Sequence, residues 1–359
     1  MIRNGFLRQT CAITTIAAMA ITAAGCASRT GSTQSSAETV TTKNAGTAAP
    51  DTVTQALATL PSTSWNDGFV AFGQSARITA SDNATANPAN GPFSALLPLT
   101  DGLVVAPNSQ LETQQSALLG FDPQQATYAV TMGAAPQSVT VLYGSFTVST
   151  IETKLTAAGY TRHSATDGDT LWGYGTAPAD ATTYPQDGDV TVPYVIDVSA
   201  SRITIGYTAS DVEAITTAGG TTLASTNGLG DLATCLGSPT AGMIGTLPQS
   251  PRPANPLPAG IGITTLAASS PSVELCVTAP SAASAQAMET RWTTQARTGK
   301  DPNSGLPWTK IFTDPQASIT AQAQHVVRFT ANLTTAEYAA AFLDRYFAGE
   351  IAPLIVSTP

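Results

Sequence analysis

Apolar and polar positions alternate with a period of two in Val139-Thr-Val-Leu-Tyr143, in Arg202-Ile-Thr-Ile-Gly-Tyr207 and in His325-Val-Val-Arg-Phe-Thr330. That period, in runs rich in β-branched and aromatic residues, predicts strands. Each run is followed by a Ser/Thr-x-x-Glu segment: Ser149-Thr-Ile-Glu152, Ser210-Asp-Val-Glu213 and Thr334-Thr-Ala-Glu337. In that segment the hydroxyl and the carboxylate each satisfy a backbone donor that an opening helix leaves orphaned. The pattern therefore predicts a strand-to-helix join three times over, with helices at 149–158, 210–217 and 335–348.

The joins group into two similar series. In the first, Ala126–Met132 and Val139–Tyr143 read as a hairpin, followed by helix 149–158, further strands up to 202–207, and helix 210–217. In the second, Gly260–Leu266 and Val273–Val277 read as the hairpin, followed by helix 281–298, strand 325–330 and helix 335–348. The order strand, strand, helix, strand, helix predicts an α+β fold of two related lobes, each an antiparallel sheet with helices packed on one face. Pro248-Gln-Ser-Pro-Arg-Pro-Ala-Asn-Pro-Leu-Pro258 is an extended proline-rich stretch, and it places a connector at 248–259 between a first lobe at 61–247 and a second at 260–359. Residues 61–125 form an N-terminal subregion of the first lobe that the pattern assigns to neither series.

The N-terminus carries a different pattern. Arg3 and Arg8 precede an Ala/Ile/Thr-rich apolar run from Cys11 to Ala24, and Ala23-Ala24-Gly25-Cys26 closes it. A basic start, a short apolar run and small residues before the cut are the three parts of an export signal, here residues 1–25. The run is too short for a permanent membrane span. Small residues leading directly into cysteine resemble the bacterial lipobox, whose thiol receives a diacylglyceryl group before the leader is removed. The resemblance implies lipid on Cys26, a palmitate-type anchor on the extracytoplasmic face of the cell membrane. The chain then turns to Ser, Thr, Ala and Gly, as a flexible tether over 26–60 would. One acyl chain holds weakly and several hold firmly, so a multiply acylated cysteine is a stable anchor.

Composition narrows the partners. Only 11% of the 359 residues are charged, and the formal net charge is -9. Loss of Arg3 and Arg8 with the leader takes it to about -11. The basic stripe that nucleic acid requires is missing, which excludes that partner, and an acidic body is repelled by anionic headgroups, so attachment has to be covalent. Of the four cysteines, Cys11 leaves with the leader and Cys26 is acylated. Cys235 and Cys276 remain, an even pair in an oxidising compartment, and they are expected to form one disulfide. That bond crosses the proline-rich connector and pins the lobes together. His163 and His325 are the only histidines; neither lies at ligand spacing from a cysteine, so no metal site or cofactor is expected.

Leu118-Leu-Gly-Phe-Asp122, Val139-Thr-Val-Leu-Tyr-Gly144 with Phe146, and Ala158-Gly-Tyr160 resemble the opening half of cell-envelope lipoproteins of actinobacteria. Together with the lipobox the resemblance spans the N-terminus and about 50 residues of the first lobe. It implies an envelope location and brings no catalytic residues with it.

Motifs for chemistry are sparse. His163 stands in Arg162-His-Ser-Ala-Thr-Asp167, but neighbours in one loop rarely converge as a Ser-His-Asp triad, and a surface histidine is expected. The chain holds no G-x-S-x-G, S-x-x-K or H-E-x-x-H. Asp167-Gly-Asp169 and Asp187-Gly-Asp189 lack EF-hand spacing and read as tight turns, with a calcium site as the other reading. Trp65, Trp172, Trp292 and Trp308 read as core anchors, with a glycan or lipid cleft as the alternative. The helix near 336–348 presents Tyr338, Phe342, Leu343 and Phe347 toward its own sheet or toward a partner groove. Function then divides three ways. The leading expectation is a non-enzymatic binding or scaffold protein of the envelope, engaging an envelope protein or a glycan or lipid ligand. The second is an envelope or cell-wall hydrolase or transferase using carboxylates around Asp167–Asp189. The third is a solute receptor, which needs a deep cleft between lobes.

Overall fold

Tyr128–Met132 and Val139–Tyr143 are buried at every position, not at every second one. A strand buried on both sides needs a layer over each face of its sheet, and the computed structural model has three layers. It describes residues 50–62, 69–83, 96, 109–133, 137–164, 170–176, 185–187, 190–216, 220–226, 228–249, 253–266, 270–302, 304–320, 325–336 and 338–356. The expected leader and Cys26 lie outside the described residues.

The helices are α1 (Val53–Ala58), α2 (Ser75–Asn83), α3 (Ser109–Leu119), α4 (Val148–Ala157), α5 (Ala209–Thr216), α6 (Leu229–Leu236), α7 (Ala282–Thr298) and α8 (Tyr338–Phe347). The strands are β1 (Val70–Gly73), β2 (Tyr128–Met132), β3 (Val139–Tyr143), β4 (Thr161–Ser164), β5 (Thr170–Gly173), β6 (Gln186–Asp187), β7 (Val190–Thr191), β8 (Val195–Val198), β9 (Arg202–Gly206), β10 (Ala241–Thr246), β11 (Pro258–Thr265), β12 (Ser272–Thr278), β13 (Phe312–Ile319) and β14 (Val326–Leu333). The fold is α+β with a large antiparallel sheet.

That sheet is continuous. Twelve strands run in the order β13-β14-β12-β11-β10-β1-β2-β3-β9-β8-β5-β4, and β6 with β7 forms a separate ribbon. The joining pair is β1 with β10, antiparallel, with Ala71 opposite Met243 and Phe72 opposite Gly242. The two series found in the sequence therefore extend one shared sheet outward from its centre. Segment 248–259, expected to separate two lobes, leads from β10 into β11, which pair as neighbours with Thr246 opposite Pro258. Pro248 follows the end of β10 and Pro258 opens β11, as expected of a residue that has no N–H to give to a ladder and concentrates where pairing ends.

Helices lie on both faces of the sheet. On one face, which we call the tryptophan face, α7 and α8 cover β10, β11, β12 and β14 through Trp292, Phe342 and Tyr346. Helices α3 and α4 cover β2, β3, β8 and β9 on the same face through Leu119, Ile151 and Leu155, with Trp172 beneath. On the opposite, disulfide face, α1 and α6 cover Val70, Phe72, Val130 and Val141. Helix α5 lies there too, with Val212 against Leu171 and Val195. A one-sided arrangement would leave the alternate apolar set of β1, β2 and β3 in water, at about 25 cal/mol per Å² of apolar surface.

Two helix starts shift from their expected places. Helix α4 begins after Thr147, whose carbonyl accepts from the N–H of Thr150 and Ile151; Ser149 is inside the helix, and Glu152 pairs with Arg162 at 3.9 Å. At α5 the capping hydroxyl is Thr208, accepting from Asp211 N–H at 3.2 Å. Before α8, Thr334 donates its hydroxyl to the Lys310 carbonyl at 2.8 Å. Inside the stretch expected as tether at 26–60, Thr52 and Gln55 form a reciprocal capping box that opens α1, so the end of that stretch is helical.

Candidate functional site

Two of the three buried acids among the described residues, Glu274 and Asp197, lie on the disulfide face; the third, Asp301, pairs with Arg345 of α8 at 3.0 Å. One rung crosses all twelve strands, reading Gln316, Thr330, Glu274, Gly262, Gly242, Phe72, Val130, Val141, Thr204, Asp197, Leu171 and His163. Its middle is apolar or glycine. Its two flanks carry Glu274 and Asp197, each within a stretch of apolar strand.

On the first flank the expected bond is present: Cys235 and Cys276 are joined, with Cα atoms 6.2 Å apart. It ties α6 to β12. Helix α6 can approach that closely because β11 offers glycines on this face. A Cβ on Gly260 would meet Leu236 Cδ1 at 2.7 Å, and one on Gly262 would meet Pro239 Cβ at 2.7 Å. Both sulfurs are buried. Glu274, two residues before Cys276, is 1% exposed, and its Oε1 lies 3.9 Å from Cys276 Sγ. Arg328 on β14 donates its Nε–H to the same oxygen. Burial pushes the Glu274 carboxyl above the usual carboxylate range, and the Arg328 guanidinium opposes that rise. The Arg328 side chain is 46% exposed, so water reaches one side of a pair whose acid is sealed. With both sulfurs committed to each other, Glu274 is left as a lone oxygen donor, which is no ligand set for a soft metal.

On the second flank, neighbouring strands present Tyr128, Tyr143 and Arg202 side by side, since Tyr143 opposes Tyr128 on β2 and Arg202 on β9. Asp197 pairs with Arg202 Nη2 at 3.7 Å and is almost sealed from solvent. Tyr143 Oη meets Thr59 Oγ1, at the C-terminal end of α1, at 2.5 Å. Burial pushes the phenols of both tyrosines up and keeps them protonated; the Thr59 hydrogen bond and the Arg202 charge pull Tyr143 partly back. Three buried polar atoms here have no hydrogen-bond partner: Tyr128 Oη, Arg202 Nε and Thr204 Oγ1.

The residues singled out in the sequence are dispersed. His163 is exposed, on edge strand β4 and not in a loop. Its Nε2 lies 2.9 Å from Thr161 Oγ1. Asp167 and Asp169 fall outside the described residues, between β4 and β5, which pair with Ser164 opposite Thr170. Asp189 is likewise outside, between β6 and β7, where Asp187 opposes Val190. His325 is exposed and its carbonyl accepts from Ala279 N–H at 2.9 Å. Trp172, Trp292 and Trp308 are buried, with Trp292 and Trp308 stacked on Phe312 at 5.7 and 5.2 Å; Trp65 is outside the described residues. In α8, Phe342, Leu343 and Tyr346 are buried while Phe347 is 46% exposed, because residues four apart, 342 and 346, share the face toward the sheet. The outer side of α7 carries an open trough lined by Gln286, Thr290, Arg291, Thr294 and Gln295. These residues, with Ala287, all come from one helix, so nothing closes over a ligand there.

Pattern reading did not reach Tyr128, Tyr143, Asp197, Arg202, Thr204, Glu274 or Arg328. A usable signal existed for two of them: a charge inside an apolar strand, in Val195-Ile-Asp-Val198 and in Val273-Glu-Leu-Cys276, has to find a partner when the strand is buried. No protein family, curated protein or solved structure matches the chain.

Proposed function

We propose that the chain is an extracytoplasmic lipoprotein, held to the cell membrane through lipid on Cys26, whose sheet body binds an envelope protein or a glycan or lipid ligand. The observation that carries this reading is the buried Cys235–Cys276 bond, since structural disulfides belong to oxidising compartments. It joins the basic start, the apolar run and Ala23-Ala24-Gly25-Cys26 in pointing outside the cytoplasm. The resemblance of the lipobox and of Leu118–Asp122, Val139–Gly144 and Ala158–Tyr160 to actinobacterial envelope lipoproteins supports the same location. Binding is favoured over catalysis because His163 stands on edge strand β4 with Thr161 as its partner, and the buried acids Asp197 and Glu274 are engaged by arginines. The recurring order of strands and helices on either side of the β1–β10 pair supports an origin by duplication.

Location is tested with protease added to intact cells. The expected result is digestion of the body while a cytosolic marker stays whole. Protection until the cells are lysed would overturn the reading.

A further inference from the structure

Glu274 is a buried acid on an interior strand, and stability gives it little reason to be there. Burying a carboxylate is costly, and a buried ion pair is often no better for folding than apolar residues of the same volume. Its surroundings point to another use. One of its oxygens and the sulfurs of Cys235 and Cys276 lie within 4.8 Å of one another, and Oε1 is 3.9 Å from Cys276 Sγ. The two cysteines differ in setting. Cys276 is 0% exposed on β12, which is paired on both sides, by β11 and by β14. Cys235 is 5% exposed on α6, an eight-residue helix laid over the sheet.

We propose that Glu274 is the proton acceptor for closure of the Cys235–Cys276 bond, taking the Cys276 thiol proton as that sulfur attacks Cys235. The oxidant is a disulfide, R–S–S–R, met before α6 seats on the sheet. The Cys235 thiolate, carried on the helix and the more accessible of the two, attacks one of its sulfurs. Cys235–S–S–R forms and R–S⁻ is released. As α6 docks, Cys276 Sγ–H gives its proton to Glu274, and the freed electron pair forms the Sγ–Sγ bond. The bond from Cys235 Sγ to the R sulfur breaks, and a second R–S⁻ leaves and takes a proton from water. Two protein thiols are oxidised and one disulfide is reduced to two thiols. The proton on Glu274 passes to water on the Arg328 side, where that side chain is 46% exposed, and the ion pair is restored. A carboxylate opposes a standing thiolate beside it, so its part is to accept the proton during the attack. Burial pushes the Glu274 carboxyl up, which brings it closer to a thiol in proton affinity. Arg328, the one ionisable residue of β14, balances its charge before transfer. Strands β10 and β11 carry no ionisable side chain. Asp314 of β13 is exposed, and Asp231 of α6, one turn before Cys235, is partly in water.

The test follows closure in the full chain, kept in detergent and carrying Cys11→Ser and Cys26→Ser so that Cys235 and Cys276 are its only thiols. The chain is reduced in urea, freed of reductant in acid, and refolded with oxidised glutathione at a series of pH values from acid to alkaline. Intact mass on acid-quenched samples separates free thiols, mixed disulfide and closed bond. Glu274→Gln keeps an oxygen for Arg328 and cannot take the proton. At pH 7 it is expected to close at least about tenfold more slowly, with the mixed disulfide accumulating, because an unaided thiol is only a few per cent ionised there. Above the ordinary thiol pKa of about 8.5 the two chains should close at the same rate, which also shows that the variant folds. Equal rates at every pH would overturn the proposal. So would a deficit of one size at every pH, which is what a purely structural role gives. Closure is measured outside the cell, so failure here leaves the location reading standing.

Discussion

Replacing Cys235 and Cys276 together by alanine is expected to lower the free energy of unfolding by about 4 kcal/mol, the loop-closure value for a closed loop of about 40 residues. The bond spans 41 residues of sequence and fastens α6 over β10, β11 and β12, where glycines leave no side chains to grip it. The expected loss is therefore local as well as global: α6 covers the centre of the disulfide face through Leu232, Ala233 and Leu236. Urea unfolding of the wild type and the double variant, followed by tryptophan fluorescence, checks the size. Because both sulfurs are buried, reductant should leave the folded wild type intact and act only once urea opens it. A loss under about 1 kcal/mol would mean that the bond does not hold α6 as described.

Arg328→Ala is expected to cost about 3 kcal/mol at pH 7, toward the lower end for breaking a buried pair by removing one partner. The arginine is half in water, and the penalty falls on Glu274, which stays sealed beside Cys276. Its pH dependence is the sharper test. The Glu274 pKa in the folded chain is raised by burial, so the folded chain binds its proton more tightly than the unfolded one. That contribution to stability is fully present below the ordinary carboxylate range and is lost as the pH rises through the raised value. Removing Arg328 takes away the charge that opposed the rise, so the gap between variant and wild type should be widest at neutral pH and narrow as the pH falls and Glu274 becomes neutral. Glu274→Gln combined with Arg328→Ala should recover most of the loss at pH 7, because no buried charge remains. Urea unfolding at a series of pH values reads all three chains; a gap independent of pH would contradict the assignment to Glu274.

The sequence announced local structure well and long-range pairing poorly, for a physical reason. Strands β3, β9 and β14 and helix α7 declare themselves by period, and the cysteine pair follows from elimination once the chain is taken as exported. Strand β1 has four residues, Val70-Ala-Phe-Gly73, too few to show a period, and it is the strand that makes the sheet continuous through β10. The proline-rich stretch read as a boundary because proline marks ends of pairing without saying whether a hairpin or a domain follows. Caps slipped by one or two residues because Thr147, Ser149, Thr208 and Ser210 can all accept the same kind of hydrogen bond. The polar second flank was hidden more completely. Tyr128, Tyr143 and Arg202 are far apart in sequence, and only the register of β2, β3 and β9 sets them on one rung. A shift of one residue in any of those strands would turn its member to the tryptophan face.

An anchor at Cys26 would set where the disulfide forms and which ligands the body can meet. Its most direct test is detergent-phase partition of membranes from cells making the wild type or Cys26→Ser. The expected result is that wild type enters the detergent phase with an intact mass showing acylation at Cys26 and no residues before it, while Cys26→Ser stays in the aqueous phase. Equal recovery of both proteins in the detergent phase would contradict it.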